Sequence, residues 1–338
     1  MRMRSRPEHT TGPALDPHQA VGPRLVQSTA DDVDVEFGVL GSRFRIRGAP
    51  AEVEHWLRGC WESSQHSSHP SDWPIDIAFG TRAPWSLRPP YLELQTSLLD
   101  DASISWRRHG ERWWSSCEAD SGLELRIFKD RARIRVWADD VMRSSTLSLH
   151  VAICEALRAR GLVPLHAAVC VRDGHATAIV GRSGIGKSTT LLSAIEAGWL
   201  PLAEDCAWLD PQTHRVHAWA GERGLRLTCE GLHRIATRWQ LAGWRRQHDG
   251  KFFLGFDRLG PARPLSADLT RVLVLDRDSS RSSGLAALDP RDATRALWES
   301  AGVPLCRASR GMFAVQAPLL LSRIQWARLI LGRGTPVF

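Results

Sequence analysis

The chain has 338 residues, of which 43% are hydrophobic and 24% charged, with a formal net charge of +7. That length exceeds one comfortable core and suits two ordinary domains of a soluble globular protein. No apolar run of about 18 residues offers a membrane span, and the mild, arginine-led excess lacks the dense basic run of a nucleic-acid binder, while fitting an anionic ligand or acidic partner.

Residues 1–30 are rich in Pro, Gly, His, Ser and Arg without periodicity, which predicts a flexible tail. Residues 31–140 then carry short strand-like runs at 33–39, 42–48, 76–80, 102–108 and 111–119. The stretch 123–138 alternates in LELRIF and ARIRVW, with Lys129-Asp130-Arg131 as the turn of a hairpin. One helix is predicted over 50–61, with Pro50 in its first turn. This half is expected to be a small, mostly antiparallel α+β domain whose Trp-rich strands offer a docking surface for an extended peptide added at an exposed strand edge.

The second unit spans 141–338. A helix over 146–160 is stopped by Gly161. LVPLHAAVCVR and ATAIV form two β runs bridged by the turn Asp173-Gly174, and a helix runs over 187–198. WLPLAEDCAWLD, VHAWA, GLRLTC and RVLVLD supply further strands, and helices are predicted over 231–248, 291–301 and 319–331. Fifteen tryptophans accompany one tyrosine; Trp106, Trp137, Trp208 and Trp219 stand singly in strand-like runs and are expected to fill cores. The seven cysteines form no C-x-x-C pair and read as buried free thiols of a reducing compartment. The first residues lack the apolar core of a signal peptide, so the expected location is cytoplasmic.

Gly181-Arg182-Ser183-Gly184-Ile185-Gly186-Lys187-Ser188 matches the phosphate-loop pattern G-x-x-x-x-G-K-[ST], between a strand and a helix as that motif requires. Glycines at 181, 184 and 186 let successive backbone N–H groups face phosphates, and the helix N-terminus adds partial positive charge. Gly181, Ser183, Gly184, Ile185, Gly186, Lys187, Ser188 and Thr189 are therefore expected to hold ATP. Lys187 would reach the β- and γ-phosphates, and Ser188 would ligate Mg²⁺. The run Arg271–Asp276 looks like a Walker B strand. With no LSGGQ-like signature and no second acid after Asp276, it reads as a core strand ending in Asp.

The surrounding landmarks narrow the class. His166 lies in Leu165-His166-Ala167-Ala168-Val169, and Gly198-Trp199 and then Glu204-Asp205 follow the loop. Together they resemble the catalytic domain of the bacterial HPr kinase/phosphorylase family, over residues 162–228 and more weakly to 276. The resemblance implies an α/β P-loop kinase domain of the HPr kinase/PEP carboxykinase type, using ATP and Mg²⁺ to phosphorylate serine. By it, Glu204 takes the place of the family's catalytic Asp, Asp205 that of the second acid near the metal, and His166 that of a His assisting the acid. The family usually has Asp-Asp, and Glu is one methylene longer, so the base is either Glu204 or Asp205.

AGERGLRL (220–227) resembles the family's E-x-R-G-L signature, which makes Glu222 a candidate metal ligand beside Ser188 and Asp205. Arg226 is a candidate contact for phosphate or an acidic substrate group, and Lys251 is another. The front half matches no run of the family's own N-terminal domain. Such a layout is similar to that of the lasso-peptide precursor kinases, and implies a ribosomally made precursor peptide or small protein as substrate. HPr(Ser) kinase/phosphorylase proper, a small-molecule kinase and a nucleotide-binding regulator without transfer are the alternatives. The family tends to oligomerise, so the resemblance allows a homo-oligomer, while the charge pattern and the lack of a long apolar run predict no nucleic-acid or membrane partner.

Overall fold

The computed structural model describes residues 35–61, 73–80, 92–97, 103–109, 112–118, 121–137, 146–219, 224–235, 244–247, 250–259 and 264–333. The predicted tail 1–30 and Glu222 lie outside the described residues. Among the described residues the fold is mixed α/β with three sheets.

Eight strands build the first sheet: β1 (Val35–Val39), β2 (Ser42–Arg47), β3 (Pro74–Gly80), β4 (Leu92–Ser97), β5 (Ser103–His109), β6 (Arg112–Glu118), β7 (Ser121–Ile127) and β8 (Ala132–Trp137). Their spatial order is β1-β2-β3-β8-β7-β6-β5-β4. Antiparallel pairing dominates, as the hairpin patterns predict, but β2–β3 and β3–β8 run parallel. Helix α1 (Ala51–Trp61) bridges the first of these parallel pairs. Alternation splits the sheet cleanly. Phe44, Ile46, Ile75, Ile77, Leu123, Leu125, Ile134 and Val136 are buried on one face, against Val53, Leu57 and Trp61 of α1. The predicted turn after β7 closes with Phe128 N–H donating to Arg131 O at 2.8 Å.

Helix α2 (Thr146–Arg160) shares that core through Leu149, Ala152, Ile153, Ala156 and Leu157. An aromatic group forms where the two large sheets approach. His150 lies against Trp61 and stacks on Trp219 at 4.7 Å, and Trp208 packs behind Trp219 at 5.7 Å. Burial pushes the His150 pKa down to about 4. Trp106, Trp137 and Trp208 are buried as expected, whereas Trp298 is exposed.

The second sheet contains β9 (Val163–Leu165), β10 (Ala167–Arg172), β11 (His175–Val180), β12 (Leu200–Ala203), β13 (Ala207–Asp210) and β14 (Arg215–Ala218). Helix α3 (Lys187–Glu196) follows β11. A small sheet intervenes, made of β15 (Gly224–Leu227), β16 (Arg245–Arg246) and β17 (Phe252–Gly255), with helix α4 (Cys229–Ile235) between its first two strands. The chain then returns to the second sheet with β18 (Ser266–Ser282) and β19 (Gly284–Ala287). Helices α5 (Pro290–Ala301) and α6 (Arg307–Arg323) lead to β20 (Gln325–Arg333). Strand β18 runs parallel to both β11 and β20. The turn Asp173-Gly174 joins β10 to β11 with both residues at positive φ, 51° and 79°.

Two predicted helices differ from the structure. Residues 319–323 complete α6, but Gln325–Arg333 is a strand, not the continuation of a helix over 319–331. Ile324 turns extended at φ −103°, ψ 137°, and Trp326, Leu329 and Ile330 pair along β18. A parallel neighbour and burial of both faces outweigh helical periodicity in a short apolar run. Within the predicted helix 231–248, only residues up to Ile235 are helical among those described, and Arg245–Arg246 pair with β17.

Candidate functional site

The phosphate loop spans Gly181 to Gly186, between β11 and α3. Its glycines are needed: Gly181, Gly184 and Gly186 have φ of 150°, 75° and 119°, in the region that disfavours a Cβ. At Gly181 a Cβ would also stand 3.1 Å from Ile185 and 3.3 Å from the Leu275 side chain of β18. Helix α3 has no side-chain cap at Gly186, so its first-turn N–H groups lack a capping acceptor. That donor set suits an anionic phosphate group.

Lys187 is buried, and its Nζ donates to Gly181 O at 2.9 Å and Arg182 O at 3.3 Å. Burial lowers its pKa, while Asp205 and Glu204 oppose the shift. Beside it in the first turn of α3, Ser188 Oγ donates to Glu204 Oε1.

The acidic pair owes its position to a break in the sequence-predicted strand 199–210. Strand β12 pairs with β10 and β13 with β9, yet Ala203↔Val169 and Ala207↔Leu165 share one register. The chain leaves the ladder on both sides at the same level. One departure places His166 between β9 and β10; the other places Glu204 and Asp205 between β12 and β13. Backbone bonds fix the gap: Ala167 N–H donates to Asp205 O at 3.0 Å, and His166 N–H to Ser300 O at 2.8 Å. The imidazole Nδ1 then meets Asp205 Oδ1 at 3.2 Å. Desolvation lowers the His166 pKa; Asp205 works against this and the Lys187 ammonium adds to it.

Glu204 has the most displaced acid of the site. Burial raises its pKa to about 7, with Asp205 adding to the rise. The Ser188 hydrogen bond and the charges of Arg226 and Lys251 pull the other way. Arg226, on β15, and Lys251, just before β17, therefore reach the field of this carboxylate from the small sheet. Gly224 sets how closely that sheet packs, since a Cβ there would lie 2.4 Å from Leu254 O.

The fold thus brings His166, Lys187, Ser188, Glu204 and Asp205 together, with Arg226 and Lys251 nearby. Thr189 sits in the first turn of α3, and its carbonyl accepts from Ser193 Oγ at 3.2 Å. Asp276 lies on β18 just beyond the residue opposite Val180, with Arg328 Nη1 at 3.6 Å. Two participants were not read from the sequence. Arg277 donates from Nη2 to Ile185 O in the loop at 3.1 Å, and Ser300 offers the carbonyl that holds His166. The position directly after RVLVLD was the available signal for Arg277; a backbone carbonyl leaves none.

No three His, Cys, Asp or Glu side chains converge as a metal cage among the described residues. Mg²⁺ rarely requires one, since it is held by one or two carboxylates, water and substrate phosphates. Ser188 with Glu204 or Asp205 fits that pattern.

No protein-family model matches the chain. No curated protein matches it either. Among solved structures, the HPr(Ser) kinase/phosphatase from Coxiella burnetii aligns over 52% of this chain and 85% of its own, at 13% identity and a TM-score of 0.25. A likeness of that size carries no argument about fold or activity, and the functional reading rests on the chain's own residues.

Proposed function

We propose that the protein is an ATP-dependent serine kinase with an α/β P-loop kinase domain, acting on a small protein or a ribosomally made precursor peptide. One observation carries this reading: a carboxyl with a pKa of about 7, Glu204, bonded to the phosphate-loop hydroxyl of Ser188 and backed by the His166–Asp205 pair. A base poised near neutral pH serves proton transfer from a substrate hydroxyl.

Bound Mg-ATP supplies the γ-phosphoryl group and leaves as ADP. The loop N–H groups and Lys187 hold the phosphates and offset the charge that develops on them. Glu204 accepts the serine proton as the serine oxygen forms its new bond to phosphorus and the bond to ADP breaks. Asp205 orients His166, whose ring lines the same space, and Arg226 and Lys251 draw an anionic substrate towards it. Ser188 and an acid of the pair would hold Mg²⁺.

The test is mass spectrometry of a serine-containing precursor peptide, encoded beside this chain, after incubation with Mg-ATP. The expected product is heavier by one phosphate, and is absent with Lys187→Ala. Nucleotide binding without transfer to any neighbouring peptide would overturn the kinase reading in favour of a regulator.

A further inference from the structure

The first sheet has a second face, opposite its core, and this face is built of arginine. A concavity of about 350 Å³ there is lined by Arg45 and Arg47 of β2, Asp76 and Ala78 of β3, and Arg131, Arg133 and Arg135 of β8 and its turn. The register continues the charge across the sheet. Arg45 pairs with Asp76, Asp76 with Arg133, Arg133 with Arg126 and Arg126 with Arg112. Three guanidiniums thus stand side by side on adjacent antiparallel strands, where like charges directly opposite are destabilising.

The charge is only partly balanced within the fold. Glu124 takes Arg126 at 2.5 Å and Arg112 at 3.8 Å, and Arg45 faces Glu36 and Asp76 at 3.5 and 3.9 Å. Among the described residues Arg131, Arg133 and Arg135 form no ion pair, although Asp76 and Glu124 are the cross-strand neighbours of Arg133 and Arg135. Arg131 and Arg133 rest on the Phe128 ring at 5.5 and 5.7 Å. Arg131 Nε is buried without a hydrogen-bond acceptor. A buried, unsatisfied donor beside a row of repelling cations is costly to the free protein and is relieved by an anionic ligand.

We propose that this arginine face is the docking surface for an acidic segment of the peptide substrate, remote from the phosphate loop. The proposal rests on the kinase reading for the word substrate alone; the anion-binding surface stands without it. Spacing supports an extended peptide. Arg133 and Arg135 alternate along β8, with Arg131 in the turn just before it, so the strand pair leaves the backbone about 7 Å apart on one face. That is the repeat of alternate side chains on an extended chain, which presents Asp or Glu at every second position to the row. Asp76 and Glu124 interrupt the positive field, which suits discrete carboxylates. They oppose the unbroken phosphate chain of a nucleic acid, and the rings described on this face are not open for base stacking: Phe128 is covered by arginine, Trp137 is buried, and Trp114 packs edge-on against Trp137 at 5.6 Å.

The experiment measures fluorescence anisotropy of a labelled peptide of alternating glutamate and serine, its glutamine–serine counterpart, and a single-stranded RNA of equal charge. The wild-type chain is expected to bind the glutamate peptide at least about tenfold more tightly than the glutamine peptide, with affinity falling as salt rises. Arg133→Gln with Arg135→Gln, which places no carboxylate opposite Asp76 or Glu124, is expected to weaken binding by at least about tenfold while leaving ATP binding unchanged and the melting temperature no lower. The single variant Arg135→Gln is expected to give a smaller loss of binding. Equal binding of the two peptides, full affinity in the double variant, or tighter binding of RNA would overturn the proposal. Peptide binding without phosphate transfer would sink the kinase reading alone; transfer without this binding would sink the docking surface alone.

Discussion

At the scale of single residues, Glu204 sets the pH behaviour. If it is the base, transfer requires its ionised form, and the rate is expected to rise through about pH 7, where its pKa lies. Glu204→Gln is expected to lose transfer by roughly 10²- to 10⁴-fold with nucleotide binding retained. The sign of the stability effect is opposite to that of an ordinary salt-bridged acid. The folded pKa is raised above the unfolded 4.5, so the native state keeps its proton longer. The associated stability is full below 4.5 and is lost as pH rises through about 7. Glu204→Gln is therefore expected to gain on wild type at pH 8, by on the order of 2 kcal/mol, and to match it at pH 4 in urea titrations. An unchanged difference between the two pH values would show that burial does not govern this acid. Sequence spacing brought out His166, Lys187, Ser188 and Glu204-Asp205 as one group, because each stands in a short motif. It was silent on the choice between the two acids, because burial and the reach of Arg226 and Lys251 arise only in the fold.

Among the elements, helices α2, α5 and α6 meet through one buried carboxylate. Glu155 Oε2 accepts from Leu305 N–H and Cys306 N–H at 2.9 Å each and from Ser309 Oγ at 2.5 Å. Its Oε1 holds Arg158 at 2.6 Å, whose Nη2 binds Ala301 O at 2.6 Å. The carboxylate therefore caps the start of α6 from another helix, a task the N-cap residue Cys306 cannot perform. Glu155→Gln is expected to destabilise the chain by about 3 kcal/mol in urea unfolding, because Arg158 would be left without its counter-charge. A loss below about 0.5 kcal/mol would place the network at the level of a surface pair. This hub was invisible in a helix that looks merely amphipathic. The misread end of the chain has a related cause: IQWARLIL fits either period, and only the edge of β18 decides for a strand. The hairpins at Asp173-Gly174 and Lys129-Asp130-Arg131, by contrast, were legible from local turn chemistry alone.

On the scale of the whole molecule, one core joins the first sheet to α2 and reaches Trp208, Leu305 and Cys306 of the later chain. A chain beginning at residue 141 would expose Leu149, Ile153 and Leu157, each worth about 1.5–3 kcal/mol of burial. Such a fragment is expected to aggregate or to lack a cooperative melt, while the full chain unfolds in one calorimetric transition. Two separate transitions in the full chain would contradict this. The aromatic group around His150 adds a further consequence. A neutral imidazole held at about 4, against 6.5 in the unfolded chain, gives stability that erodes as pH falls from 6.5 towards 4. Acid therefore drives a proton into an indole-lined seam where nothing described answers its charge. Tryptophan emission is expected to change as pH falls from about 6.5 towards 4, reporting the protonated seam, and an emission that stays constant over that window would contradict it.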